Sequence, residues 1–222
     1  ALEADPDDIP LVKLAAGNLE EEAPEFQPTE EEHRRVAALL GEAFGGFSPR
    51  PLVLLNPNAS DMLPLRKWET GRFVDLGKRL LAEDDRMGIV VTGAPSEAES
   101  AREVARQLAS ERVVCLAGKT TLRELLVLYG LADVLVTNDS GPGHFASMTK
   151  IQSIVLFGPE TPALFGPIGG RGKTLYANLT CSPCVNVFNH RFSPCRNNRC
   201  MQAISVEEVF RTVKACLSGR AS

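Results

Sequence analysis

"VLVTNDSGPGHFASMTK", residues 134–150, is the stretch on which the fold turns. An unbroken run of branched apolar residues ends in Asn-Asp-Ser, passes through Gly-Pro-Gly and His144, and runs on into small, helix-compatible residues. Gly and Pro punctuate turns, and Ser or Asp caps helices, so the segment reads as strand, tight connection, helix. A helix N-terminus placed just beyond a buried strand is also where an anion docks, because unpaired N–H groups and the positive end of the helix dipole meet there.

The same alternation recurs outward from this segment. Apolar runs at 52–55, 88–93, 113–118 and 153–158 lack the in–out alternation of a half-exposed strand, which is the pattern of strands covered on both faces. Between them lie helical patterns. Phe73, Leu76, Leu80 and Leu81 share one face, Ala101, Val104, Ala105 and Leu108 another, and "TLRELLVLYG" follows the third run. Strand–helix repeats of this length predict an α/β, Rossmann-like parallel sheet with helices on both faces.

Residues 1–48 read differently. Prolines stand at 6, 10, 24 and 28 around the run "EEEAPEFQPTEEEH", so residues 1–34 read as an acidic linker. It leads into a connecting helix capped by Thr29, with Val36, Leu39, Leu40 and Phe44 at helical spacing. The domain proper is expected over 49–222. The opening residues are acidic and interrupted by proline, unlike a signal peptide, and they lack an initiator Met, as in a processed chain or an excised fragment. The net charge of −4 argues against nucleic acid as a partner, and no apolar run approaches the roughly 20 residues that cross a bilayer.

In open parallel sheets, ligands bind beyond the carboxyl ends of the strands. The loops expected there are "NPNASDMLPLRKW", "TGAPSEAES", "AGKTTL", "NDSGPGH" and "GPETPALFGP", all rich in small polar residues. Their convergence suggests a nucleotide or phosphorylated ligand. Ser60, Arg66 and Lys67 in the first loop are candidate contacts, with Arg66 offering a planar pair of donors to phosphate. "GKTT" at 118–121 and "GKT" at 172–174 are not P-loops, since Val113 and Pro167 occupy the positions that demand glycine. No G-x-G-x-x-G follows the first strand either.

Taken in order, "RKWETGRFVDLGKRL", "LAGKTTLRELLVLYGLADVLVTND", "VTNDSGPGHFAS", "SIVLFGPETPALFGP", "CSPC" and "CMQAISVEEV" resemble the C-terminal half of glycosyltransferase family 9, the lipopolysaccharide heptosyltransferases and their relatives. The resemblance spans roughly residues 50–216. It implies the donor-binding half of a GT-B enzyme, in which two Rossmann-like halves face across a cleft. The other half would supply the acceptor site and the general base, so this chain alone would be inactive. The implied donor is a nucleotide-diphospho-sugar such as ADP-heptose, with no cofactor required. The implied acceptor is lipopolysaccharide core or another glycolipid or glycan, reached through the missing half. The implied location is the cytoplasm, at the inner face of a bacterial inner membrane. A free-standing nucleotide-sugar-binding module without chemistry of its own is the alternative. A GT-B epimerase fits the order of motifs less well.

The resemblance places the donor diphosphate at the 139–144 turn, where fixed dipoles would stabilise a leaving diphosphate without reorganising. Gly141 and Gly143 would let the backbone come close, and Ser140 would donate its hydroxyl or cap the helix. Asp139, an anion, would meet a sugar or ribose hydroxyl or the loop's own N–H groups. His144 becomes a donor-site residue instead of a core histidine. Arg66 takes the family's basic position two before Trp68, Glu97 a ribose or base contact, and Thr120 the nucleobase border, although it also suits a helix N-cap.

Cys181, Cys184, Cys195 and Cys200 form C-x2-C-x10-C-x4-C. The first pair has metal-ligand spacing and the second is too wide for an ordinary zinc ribbon, so structural zinc, reduced thiols and oxidised pairs all remain open. Cys115 and Cys216 read as core residues.

Overall fold

The computed structural model describes residues 24–59, 63–169, 171–185 and 192–219. Among them, six strands form one parallel sheet in the order β3-β2-β1-β4-β5-β6. In chain order these are β1 (Leu52–Asn56), β2 (Gly88–Val91), β3 (Val113–Cys115), β4 (Val134–Asn138), β5 (Gln152–Phe157) and β6 (Gly172–Tyr176). The chain starts in the middle, winds outward to β3, then returns to lay β4 against β1 with Val53 opposite Val134. The crevice between β1 and β4 is therefore the switch point of a doubly wound fold.

The helices are α1 (Glu30–Ala43), α2 (Thr70–Glu83), α3 (Ala98–Leu108), α4 (Leu122–Leu131), α5 (Gly141–Ala146), α6 (Pro162–Phe165), α7 (Arg199–Ala203) and α8 (Val206–Ser218). The strands divide their side chains between two cores, as the absence of alternation predicted. Val53, Leu55, Ile89, Val91, Val134 and Val136 join the core beneath α2, α3 and α8. Leu52, Leu54, Val90 and Leu135 join the core beneath α1 and α4.

Helix α1 starts as expected. The Thr29 side chain accepts from Glu32 N, and the Glu32 carboxylate returns the bond to Thr29 N. Its Val36 and Phe44 are buried in the same core as Leu126 and Tyr129, so the helix packs onto the sheet's second layer. Helix α4 is capped by Thr121, whose hydroxyl accepts from Glu124 N, and not by Thr120. The capping explanation for Thr120 falls away.

The sequence reading found five strands and missed the sixth. β6 spans "GKTLY", which overlaps the false P-loop at 172–174. It is an edge strand with two exposed positions, so nothing required an apolar run there. The second and third strands are also shorter than expected, ending at Val91 and Cys115. Cys216 is a core residue, while Cys115 is half-buried at the sheet edge and packs against the core.

Candidate functional site

β4 ends in a buried asparagine, and that residue organises the crevice. Asn138 Oδ1 accepts from Trp68 N at 2.9 Å, while its Nδ2 donates to Pro57 O at 3.0 Å and Asn58 O at 3.3 Å. One side-chain amide thus ties both ends of the loop after β1 to the end of β4. The loop carries Arg66 on a single 3-10 turn, Pro64–Arg66.

Arg66 lies over the end of β4. Its Nη1 is 3.7 Å from Asp139 Oδ2 and 3.4 Å from Glu160 Oε2. The side chains are 12%, 3% and 2% exposed, so the three charges form a nearly dry cluster. Burial, reinforced by a hydrogen bond with Glu160, pushes the Asp139 carboxyl up to about 7 against the opposing pull of Arg66. Arg66 Nε is buried without a hydrogen-bond partner, leaving donor capacity unused.

The loop after β5, which bears Glu160, is gripped from the cysteine-bearing segment. Ser182 Oγ donates to Gly158 O, and Cys184 N and Val185 N both donate to Pro159 O at 2.9 Å. The same segment also reaches the Arg66 loop. Asn198 Nδ2 donates to Leu65 O at 3.3 Å and Lys67 O at 3.0 Å, the carbonyls flanking Arg66. Trp68 Nε1 donates to Ile204 O at 2.9 Å, and Arg72 Nη1 to the same carbonyl at 2.7 Å. Both loops that meet at the charge cluster are therefore held from this part of the chain, one by residues 182–185 and the other by Asn198 and Ile204.

The remaining candidates divide. Ser140 stands at the start of α5, but its hydroxyl turns back to Asn138 O at 3.1 Å instead of capping the helix. Gly141 and His144 are exposed beside it, so His144 is no core histidine. Gly143 serves packing: a Cβ there would stand 2.9 Å from Val155 Cγ2, and the residue is buried against β5. Packing alone therefore accounts for glycine at 143. Lys67 is half-buried next to Arg66. Glu97 Oε2 accepts from Ala94 N at 2.9 Å, which gives it a part in starting α3. Thr120 is half-buried in the loop after β3, and Ser60 lies outside the described residues.

None of the six cysteines is in a disulfide. Burial raises the Cys200 thiol above its ordinary range, with smaller upward pushes from Cys184 and Cys195, while Cys181 is exposed. Among the described residues, no three His, Cys, Asp or Glu side chains are grouped to hold a metal. No helix among them is long and apolar enough to cross a membrane. A cavity of about 510 Å3, lined by Ser147, Thr149, Ser153 and Arg171 among others, opens at the starts of β5 and β6. That is the wrong end of a parallel sheet for a ligand, and the crevice remains the candidate.

Sequence reasoning reached Asp139, Ser140, Gly141, His144 and Arg66, and the structure brings Arg66 and Asp139 together. It missed Glu160, although the loop containing it had been singled out, and it missed Asn138 and Asn198. A buried Asn closing an apolar strand was the available signal for Asn138, since such a group needs partners.

Residues 10–191 match the family described as Glycosyltransferase family 9 (heptosyltransferase). Lipooligosaccharide heptosyltransferase 2 of Campylobacter jejuni (strain 81116) is 27% identical over 169 residues, 74% of this chain and 51% of that protein. The solved ADP-heptose heptosyltransferase II of E. coli superposes with a TM-score of 0.70 at 22% identity, covering 90% of this chain and 55% of its own. The family 9 glycosyl transferase of Veillonella parvula superposes with a TM-score of 0.74 at 20% identity, covering 94% and 58%. The chain spans about half the length of the curated relatives it matches.

Proposed function

Since the chain belongs to glycosyltransferase family 9, we propose that it is the donor-binding half of a glycosyltransferase that takes its sugar from a nucleoside diphosphate. Heptose, or a related sugar, passing to lipopolysaccharide core or another surface glycan is the transfer we assign to the whole enzyme. The solved E. coli relative is named for ADP-heptose, which makes ADP the first nucleotide to try.

The observation that carries the proposal is the meeting of Arg66 with Asp139 at the switch point, one residue before Ser140 opens α5. When the glycosidic bond breaks, negative charge grows on the departing diphosphate. The Arg66 guanidinium and the Gly141 N–H that opens α5 are suited to receive it; Pro142 has no N–H, and Gly143 N donates to Ser140 O. Asp139, next to them, is suited to a sugar hydroxyl. The base that activates the acceptor is not assigned to this chain, and on this reading the chain alone transfers nothing.

Calorimetric titration with ADP, UDP and GDP tests the proposal. Saturable binding of one of them, weakened in Gly141→Val, is expected. Binding of none, or binding that Gly141→Val leaves intact, would sink it.

A further inference from the structure

Two carboxylates, Asp139 and Glu160, approach one guanidinium in a nearly dry space at the end of β4, one more than holding Arg66 requires. We propose that Glu160 is a positioning residue that shares the Arg66 guanidinium with Asp139 and thereby governs how much of that cation a bound diphosphate can draw. The inference rests on the donor-site reading above.

The geometry sets the competition. Arg66 Nη1 is 3.4 Å from Glu160 and 3.7 Å from Asp139, so the bond to Glu160 is the closer, and all three side chains are at least seven-eighths buried. Glu160 is fixed from behind through Pro159 O, which accepts from Cys184 N and Val185 N. Arg66 is fixed by Asn198 at the two carbonyls flanking it. Neither partner can drift far, and the guanidinium stays between two anions.

Charge balance gives the consequence. The charged side chains facing Asp139 are Arg66, from the loop after β1, and Glu160, from the loop after β5. Lys67 lies beside Arg66 on its own loop, and His144 is exposed on α5. With one proton between the carboxyls the cluster is neutral, and a diphosphate meets a cation whose counter-charge is already halved. With both ionised, Asp139, Glu160 and Arg66 together carry one more negative charge, and a diphosphate is drawn less. Asp139 titrates at about 7, so the change falls in the working range. With glutamine at 160, one carboxylate faces one cation, the like charge beside Asp139 is gone, and that titration moves down out of the range.

The test is ADP affinity from pH 6 to pH 8.5 for the 222-residue chain and for Glu160→Gln. Titration of ADP itself is common to both proteins and cancels in the ratio of their Kd values. The ratio of wild-type to variant Kd should rise with pH across neutrality, by up to about tenfold per unit for one linked proton. Glu160→Asp, which keeps the charge, should keep the wild-type slope, and it stands as the comparison should the amide variant not fold. A constant ratio for Glu160→Gln, or a lost slope in Glu160→Asp, would overturn the role of Glu160 while leaving the donor site in place. No ADP binding by either protein would overturn the donor site, and this inference with it.

Discussion

Asn138 and Trp68 stand 70 residues apart in sequence and are joined by a 2.9 Å hydrogen bond from the tryptophan backbone to the asparagine side chain. The bond fixes the distance between β4 and the loop after β1, which is the width of the crevice. Both residues are buried, Trp68 at 1% exposure and Asn138 at 0%, so water cannot replace the bond if it is lost.

Asn138→Ala should therefore cost stability out of proportion to its size. It leaves Trp68 N, Pro57 O and Asn58 O without their partner. A loss of about 1–3 kcal/mol is expected in urea unfolding, from the desolvation of an unpaired buried group. A change below about 0.5 kcal/mol, ordinary for a surface site, would show that the bridge does not constrain the crevice.

Arg66→Ala should destabilise in a pH-dependent way. Removing the cation leaves Asp139 and Glu160 facing one another in a dry space, and stranding a buried charge costs about 3–5 kcal/mol. The loss should be full near pH 8 and smaller at pH 5.5, where a proton on Asp139 substitutes for the missing countercharge. Equal losses at the two pH values, read from thermal or urea unfolding, would contradict this.

Asp139 itself has a stability signature. Its folded-state value of about 7 lies above the unfolded value of about 3.9, so the native state holds the proton more tightly. Stability should accordingly fall as pH rises from about 4 to about 7, and level off above. Asp139→Asn should flatten that part of the profile. The comparison is the difference between the two proteins' unfolding free energies across the window, and a difference constant with pH would refute it.

The two glycines of the turn should respond differently. Gly143→Ala places a methyl 2.9 Å from Val155 Cγ2, where α5 rests on β5, and overpacking of this kind costs about 1–3 kcal/mol. At Gly141 a Cβ meets only the Phe145 ring, at 3.3 Å, on a residue exposed at the crevice. Gly141→Val should cost less stability yet reduce ADP affinity on the order of tenfold, about 1.4 kcal/mol of binding. Calorimetry with thermal melts separates these, and the reverse pattern would exchange the roles of the two positions.

The sheet was legible because strands covered on both faces carry unbroken apolar runs, as residues 52–55 of β1, 89–91 of β2, 134–136 of β4 and 154–157 of β5 do. β6 escaped because an edge strand needs no such run. The crevice was legible as far as loop composition goes: Arg66 and Asp139 sit in stretches dense in turn-formers. Glu160 was not, since a carboxylate in a Gly-Pro-Glu-Thr-Pro loop carries no sign that folding will bury it against another acid. Nor was Asn198, which reaches Lys67 O across 131 residues, a contact without local pattern.

The grip of residues 182–185, Asn198 and Ile204 on the two loops also bears on when the crevice takes shape. Trp68 and Arg72 bond to Ile204 O across 136 and 132 residues, among the longest closures in the fold. Contacts between such distant parts of a chain are slow to form, because the intervening chain must be ordered first. During synthesis β1 through β5 can pair before residue 204 emerges, so the sheet comes first and the aligned crevice last. Nascent chains halted before that point would carry a Rossmann-like core and no competence to capture nucleotide.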